Sequence, residues 1–228
     1  MPSVRGVDLR RELANNPPDG LTPVRARLRN DAIALIESED LVEASYSYCI
    51  VPLDRPAAET LHVGGETLYA PKLLPESGEL TALGFGVCTL GPKLEARGTA
   101  LFGERRASLS VALEYVATEM LFALGRRVQD RMLSECYRRR LSMAGELRAG
   151  DPGLDISAQA TVLRLAEAES IGVHLYGDHL LAPLKSTTLV LGVGKNLPAT
   201  SWSRCETCPS KTKCSFGRRP LREERMAT

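Results

Sequence analysis

Three cysteines crowd into ten residues of this chain, in the run Cys205-Glu206-Thr207-Cys208-Pro209-Ser210-Lys211-Thr212-Lys213-Cys214. A two-residue gap lets two thiolates converge on one ion from a tight turn, and Pro209 fits beside such a turn. Lys211, Lys213, Arg218 and Arg219 favour ionised thiols nearby. The other three cysteines, Cys49, Cys88 and Cys136, are scattered through apolar segments. In a reducing compartment such clustering points to metal ligation rather than disulfides. The expectation is an iron–sulfur cluster or a zinc ion held by Cys205, Cys208 and Cys214. Either centre ordinarily takes four ligands. No histidine lies in the tail. The fourth ligand then falls to Cys49, Cys88, Cys136, a histidine of the body, a partner residue or an exogenous molecule. A reduced or redox-labile thiol cluster is the competing reading.

A second group is Arg148-Ala149-Gly150-Asp151-Pro152-Gly153. Glycine backbone can approach a ligand closely, and an arginine can grip a carboxylate in bidentate fashion. An ordinary turn explains the same string. Lys185 and Ser186, at the entry to a late strand, are candidate pocket-lining residues on the same footing. Glu114 and Glu119 lie five apart on one helix and read as solvated or helix-supporting. His62, His174 and His179 are isolated. The chain has no phosphate loop, serine elbow, zinc-protease helix or dinucleotide fingerprint.

These residues need elements to position them. Thr22-Pro23 starts a helix with a hydroxyl cap and proline in the first turn, carrying Val24, Leu28, Ala32, Leu35 and Ile36 at helical spacing. Tyr46, Tyr48 and Ile50 alternate as in a strand. Gly64-Gly65 between alternating runs predicts a tight hairpin. Leu83 to Leu90 predicts a further strand, stopped by Gly91-Pro92. Ala107 to Arg139 carries the longest helical stripe: Leu109, Leu113, Val116, Met120, Leu124, Val128 and Met132. Leu147 to Asp155 reads as a loop, Ser157 as the cap of a helix through Ala168, and Gly172–Leu181 and Thr187–Val193 as strands. This order predicts an α+β fold with a twisted, mainly antiparallel sheet and a long central helix. Residues 1–22 read as an N-terminal extension, 23–196 as the body and 197–228 as a cysteine-rich basic tail.

Bulk properties narrow the classes. With 29 basic and 28 acidic residues the net charge is +1, so no nucleic-acid partner is expected. No run of about 18 apolar residues exists, so no membrane partner is expected either. Nothing near the start resembles a secretion signal, which predicts a cytoplasmic protein.

Five stretches together carry a resemblance: Thr89-Leu90-Gly91-Pro92-Lys93-Leu94-Glu95, Asp151-Pro152-Gly153, Ile156-Ser157-Ala158-Gln159, Pro183-Leu184-Lys185-Ser186, and the terminal cysteines. In this order they resemble the activation domain family of cobalamin-dependent methionine synthase, and most of all its stand-alone members. The resemblance runs from about Pro23 to Arg219. It implies a C-shaped α+β domain that supports reduction of cob(II)alamin, or its reductive methylation with S-adenosylmethionine. The cobalamin would sit on a partner, a corrinoid-binding protein or cobalamin-dependent methyltransferase. An electron donor such as flavodoxin or ferredoxin is a further implied partner. The family's S-adenosylmethionine loop maps onto Arg148, Gly150, Pro152 and Gly153, with two departures: Arg148 stands one residue further from Pro152-Gly153, and Leu154 occupies the family's tyrosine position. Iron–sulfur electron transfer or redox sensing, and a zinc-knuckle binding module, are the alternative functions.

Overall fold

The Thr22 hydroxyl accepts from the backbone N–H of Arg25 at 3.4 Å and opens helix α1, Pro23–Ser38. The structure, a computed structural model, describes Arg5, Gly6, Leu9, Leu13 and residues 20–199; the cysteine cluster lies outside the described residues. Ala32 and Ile36 are the buried side chains of α1, while Val24 is exposed.

A five-stranded antiparallel sheet forms the centre. Its order is β1 (Arg5–Gly6), β2 (Ser45–Pro52), β5 (Glu79–Thr89), β9 (Ser186–Lys195), β6 (Ser142–Leu147). Two hairpins lie outside it: β3 (Thr60–Val63) with β4 (Glu66–Tyr69), and β7 (His174–Tyr176) with β8 (Leu180–Ala182). Both glycines of the first turn have positive φ, +57° at Gly64 and +77° at Gly65, as a primed two-residue turn demands.

Helices cover both faces. On one, α2 (Lys93–Gly103) and α3 (Ala107–Arg138) pack with α1 over Tyr46, Tyr48, Cys88, Leu189 and Leu191. Leu9 and Leu13 belong to this core. On the other, α4 (Ala158–Leu165) and the β3–β4 hairpin pack over Leu83, Phe85, Val87 and Val190. The sheet is thus the middle of three layers, so β5 and β9 are buried on both faces and read as continuous apolar runs.

Every residue of the α3 stripe named from sequence is buried. By length and composition α3 would suffice to cross a bilayer. Instead, twelve of its residues are buried inside the protein. It lies close to β5 because glycine occupies the strand beneath it. A Cβ at Gly84 would come within 2.9 Å of Met132 Sδ, and one at Gly86 within 3.0 Å of Val128 Cγ1.

Several elements depart from the sequence reading. Lys93–Gly103 is a helix, and Ser142–Leu147 an edge strand, where neither was expected. The stretch Gly172–Leu181 is not one strand but folds back as β7–β8, turning at Gly177 with φ +62°. Helix α4 stops at Leu165 and a 3-10 turn follows at Ala168–Ile171. Ser157 offers no side-chain cap; the Asp155 carboxylate accepts from the Ser157 N–H at 2.8 Å instead. Strand β2 also helps terminate α4: Ser47 Oγ donates to Ala166 O at 2.5 Å and Cys49 Sγ to Leu165 O at 2.9 Å.

Candidate functional site

The final residues of β6 lead into the Arg148–Gly153 loop, and this connection aims Arg148 back across the sheet. The turn is tight: Asp151 N–H donates to Arg148 O, Leu154 N–H to Asp151 O, and Gly150 N–H to Leu154 O, each at 2.9 Å. The Asp151 carboxylate accepts from the Arg148 N–H at 2.8 Å. Gly150 and Gly153 have φ of +92° and +100°, so both positions require glycine. Gly153 also leaves no slack, since a Cβ there would lie 3.2 Å from the Lys72 stem.

The Arg148 side chain runs over the α3 face. Its guanidinium carbon sits 5.4 Å from the Phe122 ring centroid, a cation–π distance. NH1 donates to Thr187 Oγ1 at 2.9 Å; Nε and NH2 donate to Glu146 Oε1 at 3.3 and 3.2 Å. Three of the five N–H groups are thus spent internally, and one on each terminal nitrogen remains. The side chain is 17% exposed. Gly125 makes room beside it: a Cβ there would stand 3.9 Å from Arg148 NH2.

Lys185 lies on the same face. It is 15% exposed and ion-paired with Glu114. Glu114 and Phe122 are eight positions apart on α3, about 12 Å at 1.5 Å per residue. Arg148 and Lys185 are therefore held along one side of the helix about two turns apart. The neighbouring backbone is fixed too: Leu184 N–H donates to the Glu95 carboxylate at 2.7 Å, and Leu90 N–H to Lys185 O at 2.9 Å. Val111 and Tyr115, on the same helix as Glu114, and Leu184, next to Lys185, are exposed.

Ser186 does not join them. Consecutive strand residues point to opposite faces, so Ser186 turns toward the α4 side and donates to Thr89 Oγ1 at 2.8 Å. Thr188, on that same side, donates to Gln159 Oε1 at 3.3 Å, and Gln159 Nε2 donates to His179 O at 2.6 Å. Gly153 backs onto the Lys72 stem rather than the α3 face, and Pro152 precedes it in the same turn. The residues that sequence reasoning missed are Thr187, Phe122 and Glu146. Thr187 was reachable by counting alternate positions back from the buried Leu189 and Leu191. Glu114 is a salt-bridge partner rather than a merely solvated acid, and Glu119 pairs with Arg29 at 2.7 Å, both 12% exposed.

None of the described cysteines is poised as a thiolate. Burial pushes the Cys88 thiol up to about 12, with the Arg148 charge opposing. Burial likewise raises Cys136 and Cys49, each to about 11, helped by Glu135 and Glu167 respectively. Among the described residues no three histidine, cysteine, aspartate or glutamate side chains gather as a metal-holding group.

With this geometry in place, the comparison with solved structures is informative. The fold is similar to that of the MetH reactivation domain. The matching crystal structure shows that domain bound to AdoHcy, with a TM-score of 0.64 and 12% identity over 90% of this chain and 81% of that one. At that identity the likeness extends to the fold, an α+β domain with a mainly antiparallel sheet and a long central helix. No protein-family model matches the chain, and no curated protein matches it by sequence.

Proposed function

We propose that this chain reactivates a corrinoid-dependent methyltransferase, supporting the reduction of cob(II)alamin on a corrinoid-binding partner or its reductive methylation with S-adenosylmethionine. The observation that carries the reading is the shared fold over nine-tenths of the chain, with Arg148 fixed on the α3 face. The solved relative holds AdoHcy, the product left when S-adenosylmethionine has given up its methyl group.

The residues present fit the amino-acid end of such a ligand. Arg148 keeps one N–H on each terminal nitrogen, a donor pair suited to a carboxylate. Glu146 and Glu114 are carboxylates on the same face, suited to an ammonium group. When bound, S-adenosylmethionine supplies the methyl group that captures reduced cobalamin. The chain's own part is to bind, to orient and to exclude water. Thr187 and Phe122 fix the guanidinium, and exposed Tyr115 and Leu184 offer apolar surface that can dry a contact with the corrin-bearing partner. Reduction needs shape and dryness more than acid–base groups, in keeping with this set of residues.

In this reading residues 23–196 carry the activity. Residues 1–22 are an extension docked through β1, Leu9 and Leu13. The tail 197–228 holds an iron–sulfur cluster or zinc through Cys205, Cys208 and Cys214, which would give the activator its own redox or structural centre.

The test is calorimetric titration of the purified chain with S-adenosylhomocysteine, alongside Arg148→Ala. Binding that weakens at least about tenfold in the variant, the loss of one charge-assisted contact, is the expected result. Absence of any binding heat refutes the methyl-donor arm. Cob(II)alamin whose visible spectrum is unmoved by the chain, free or on a corrinoid protein, refutes the activator reading itself.

A further inference from the structure

Two stretches singled out in the sequence, residues 89–95 and 183–186, are hydrogen-bonded to each other at three points. Ser186 Oγ donates to Thr89 Oγ1 at 2.8 Å, Leu90 N–H to Lys185 O at 2.9 Å, and Leu184 N–H to Glu95 Oε2 at 2.7 Å. The first bond lies within the β5–β9 pairing, where Thr89 stands opposite Ser186. The other two hold residues 183–185, which link β8 to β9 and belong to neither strand.

An acid in the first turn of a helix commonly serves that helix, through its dipole and its free N–H groups. Glu95 is such a residue in α2, whose N-terminus has no side-chain cap, yet its carboxylate reaches outward to Leu184 N–H. Leu184 is 61% exposed, so apolar packing does little to hold the link. Pro183 beside it has no N–H to offer. The residue that follows is Lys185, which is 15% exposed and paired with Glu114. A lysine stem is flexible, so its direction depends on where the backbone beneath it is held. Helix α2 meets the other member of the pair as well. A Cβ at Gly98 would stand 3.7 Å from Glu114 Oε1, and Ser110 Oγ donates to Gly98 O at 2.9 Å, drawing α2 against α3 at that point.

We propose that Glu95 is a positioning residue of the candidate site: by holding Leu184 N–H it directs Lys185 onto Glu114, and so fixes where the Glu114 carboxylate stands on the α3 face. Its consequence for binding rests on the reading of that face as the ligand site. Glu95 acts through the Leu184 backbone and not on the ligand. What it supplies is an acceptor oxygen rather than a charge, so glutamine can replace it and alanine cannot.

Four chains are compared: wild type, Glu95→Ala, Glu95→Gln and Ser47→Ala. The last removes a buried hydrogen bond on the opposite face of the sheet and controls for general loosening. Acetylation of Lys185 by an N-hydroxysuccinimide ester is followed by peptide mass spectrometry, with Lys195, 65% exposed, as the internal standard. Affinity for S-adenosylhomocysteine is measured alongside by calorimetry. Glu95 is half-buried at the start of its helix, and circular dichroism melts establish that each variant is folded. In Glu95→Ala the proposal expects Lys185 to react at least about tenfold faster and affinity to fall at least about fivefold, with Glu95→Gln within about twofold of wild type in both. Lys185 should stay slow in Ser47→Ala, and Lys195 should react alike in all four chains. An unchanged Lys185 rate in Glu95→Ala, or the same rise in Ser47→Ala or Glu95→Gln, overturns the proposal, as does undiminished affinity of Glu95→Ala for a ligand that wild type binds. Wild type that binds no S-adenosylhomocysteine refutes the methyl-donor reading instead, and the acetylation rates then decide by themselves whether Glu95 positions Lys185.

Discussion

Gly86→Ala and Gly125→Ala are the same chemical change, yet the structure gives them opposite signs. At Gly86 a new methyl would stand 2.9 Å from Leu189 Cδ1 and 3.0 Å from Val128 Cγ1. Both neighbours are fully buried, so neither can swing away. Overpacking of this kind costs about 1–3 kcal/mol. Alanine recovers about 0.5–1 kcal/mol of that, because glycine is the poorer residue inside a strand. The net expectation is a loss of about 1 kcal/mol, within a range of about 0–2.5, or about 2–4 °C in Tm at the central value for a chain of this size. At Gly125 the only neighbour within 4 Å is Arg148 NH2 at 3.9 Å, ordinary contact, and the residue lies inside a helix. There the substitution should stabilise by about 0.5–1 kcal/mol. Urea unfolding reads both through the midpoint, with the m-value unchanged. A Gly86→Ala chain as stable as wild type would refute the argument that glycine in β5 sets how closely α3 lies on the sheet.

Other perturbations have equally definite outcomes. Glu119→Ala should cost about 1.5–3 kcal/mol by thermal melt, since it strands Arg29, which also reaches Leu13 O at 3.3 Å. Alkaline pH should destabilise the fold. The Cys88 and Cys136 thiols sit at about 12 and about 11 when folded against 9.0 ordinarily, so the unfolded chain loses protons first. Their contribution is complete below pH 9 and declines as pH rises toward 11–12, by up to about 1.4 kcal/mol per pH unit per thiol. Urea midpoints at pH 8, 10 and 11 check this, and Cys88→Ala should flatten the slope; an unchanged slope contradicts the assignment. Cys205→Ser, Cys208→Ser and Cys214→Ser should each abolish stoichiometric iron and sulfide, or zinc, in anaerobically purified protein, and metal retained by all three would exclude the tail as its site.

Helix α3 was legible because its stripe is long and complete, and the β3–β4 hairpin because two adjacent glycines leave little else to choose. Helix α2 was hidden by its shortness, by Gly98 within its buried stripe, and by an N-terminus with no side-chain cap. Strand β6 is half-buried along almost its whole length, as an edge strand can be, so it shows no alternation. The β7–β8 turn falls inside an alternating run and was read as continuous strand. In the site, Arg148 was evident from the loop chemistry. Its partners Thr187 and Phe122 come from β9 and α3, and no local pattern joins residues so distant in sequence. Pairing Lys185 with Ser186 overlooked the side-chain alternation that parts them.

The central strand pair joins segments far apart in the chain: the Thr89 and Ser186 hydroxyls that meet there are 97 residues apart. Both cores include side chains of β9, Leu189 and Leu191 on one face and Val190 on the other, so neither is complete before that closure. A ribosome-bound chain can pack α3 against α1, α2, β2 and β5, all made before it, but Leu189 and Leu191 cannot complete that core until β9 emerges, and non-local pairing of this kind slows folding. Nascent-chain release before residue 195 should leave a species dependent on chaperones, and the interval between synthesis of α3 and of β9 is the stage at which aggregation competes most strongly.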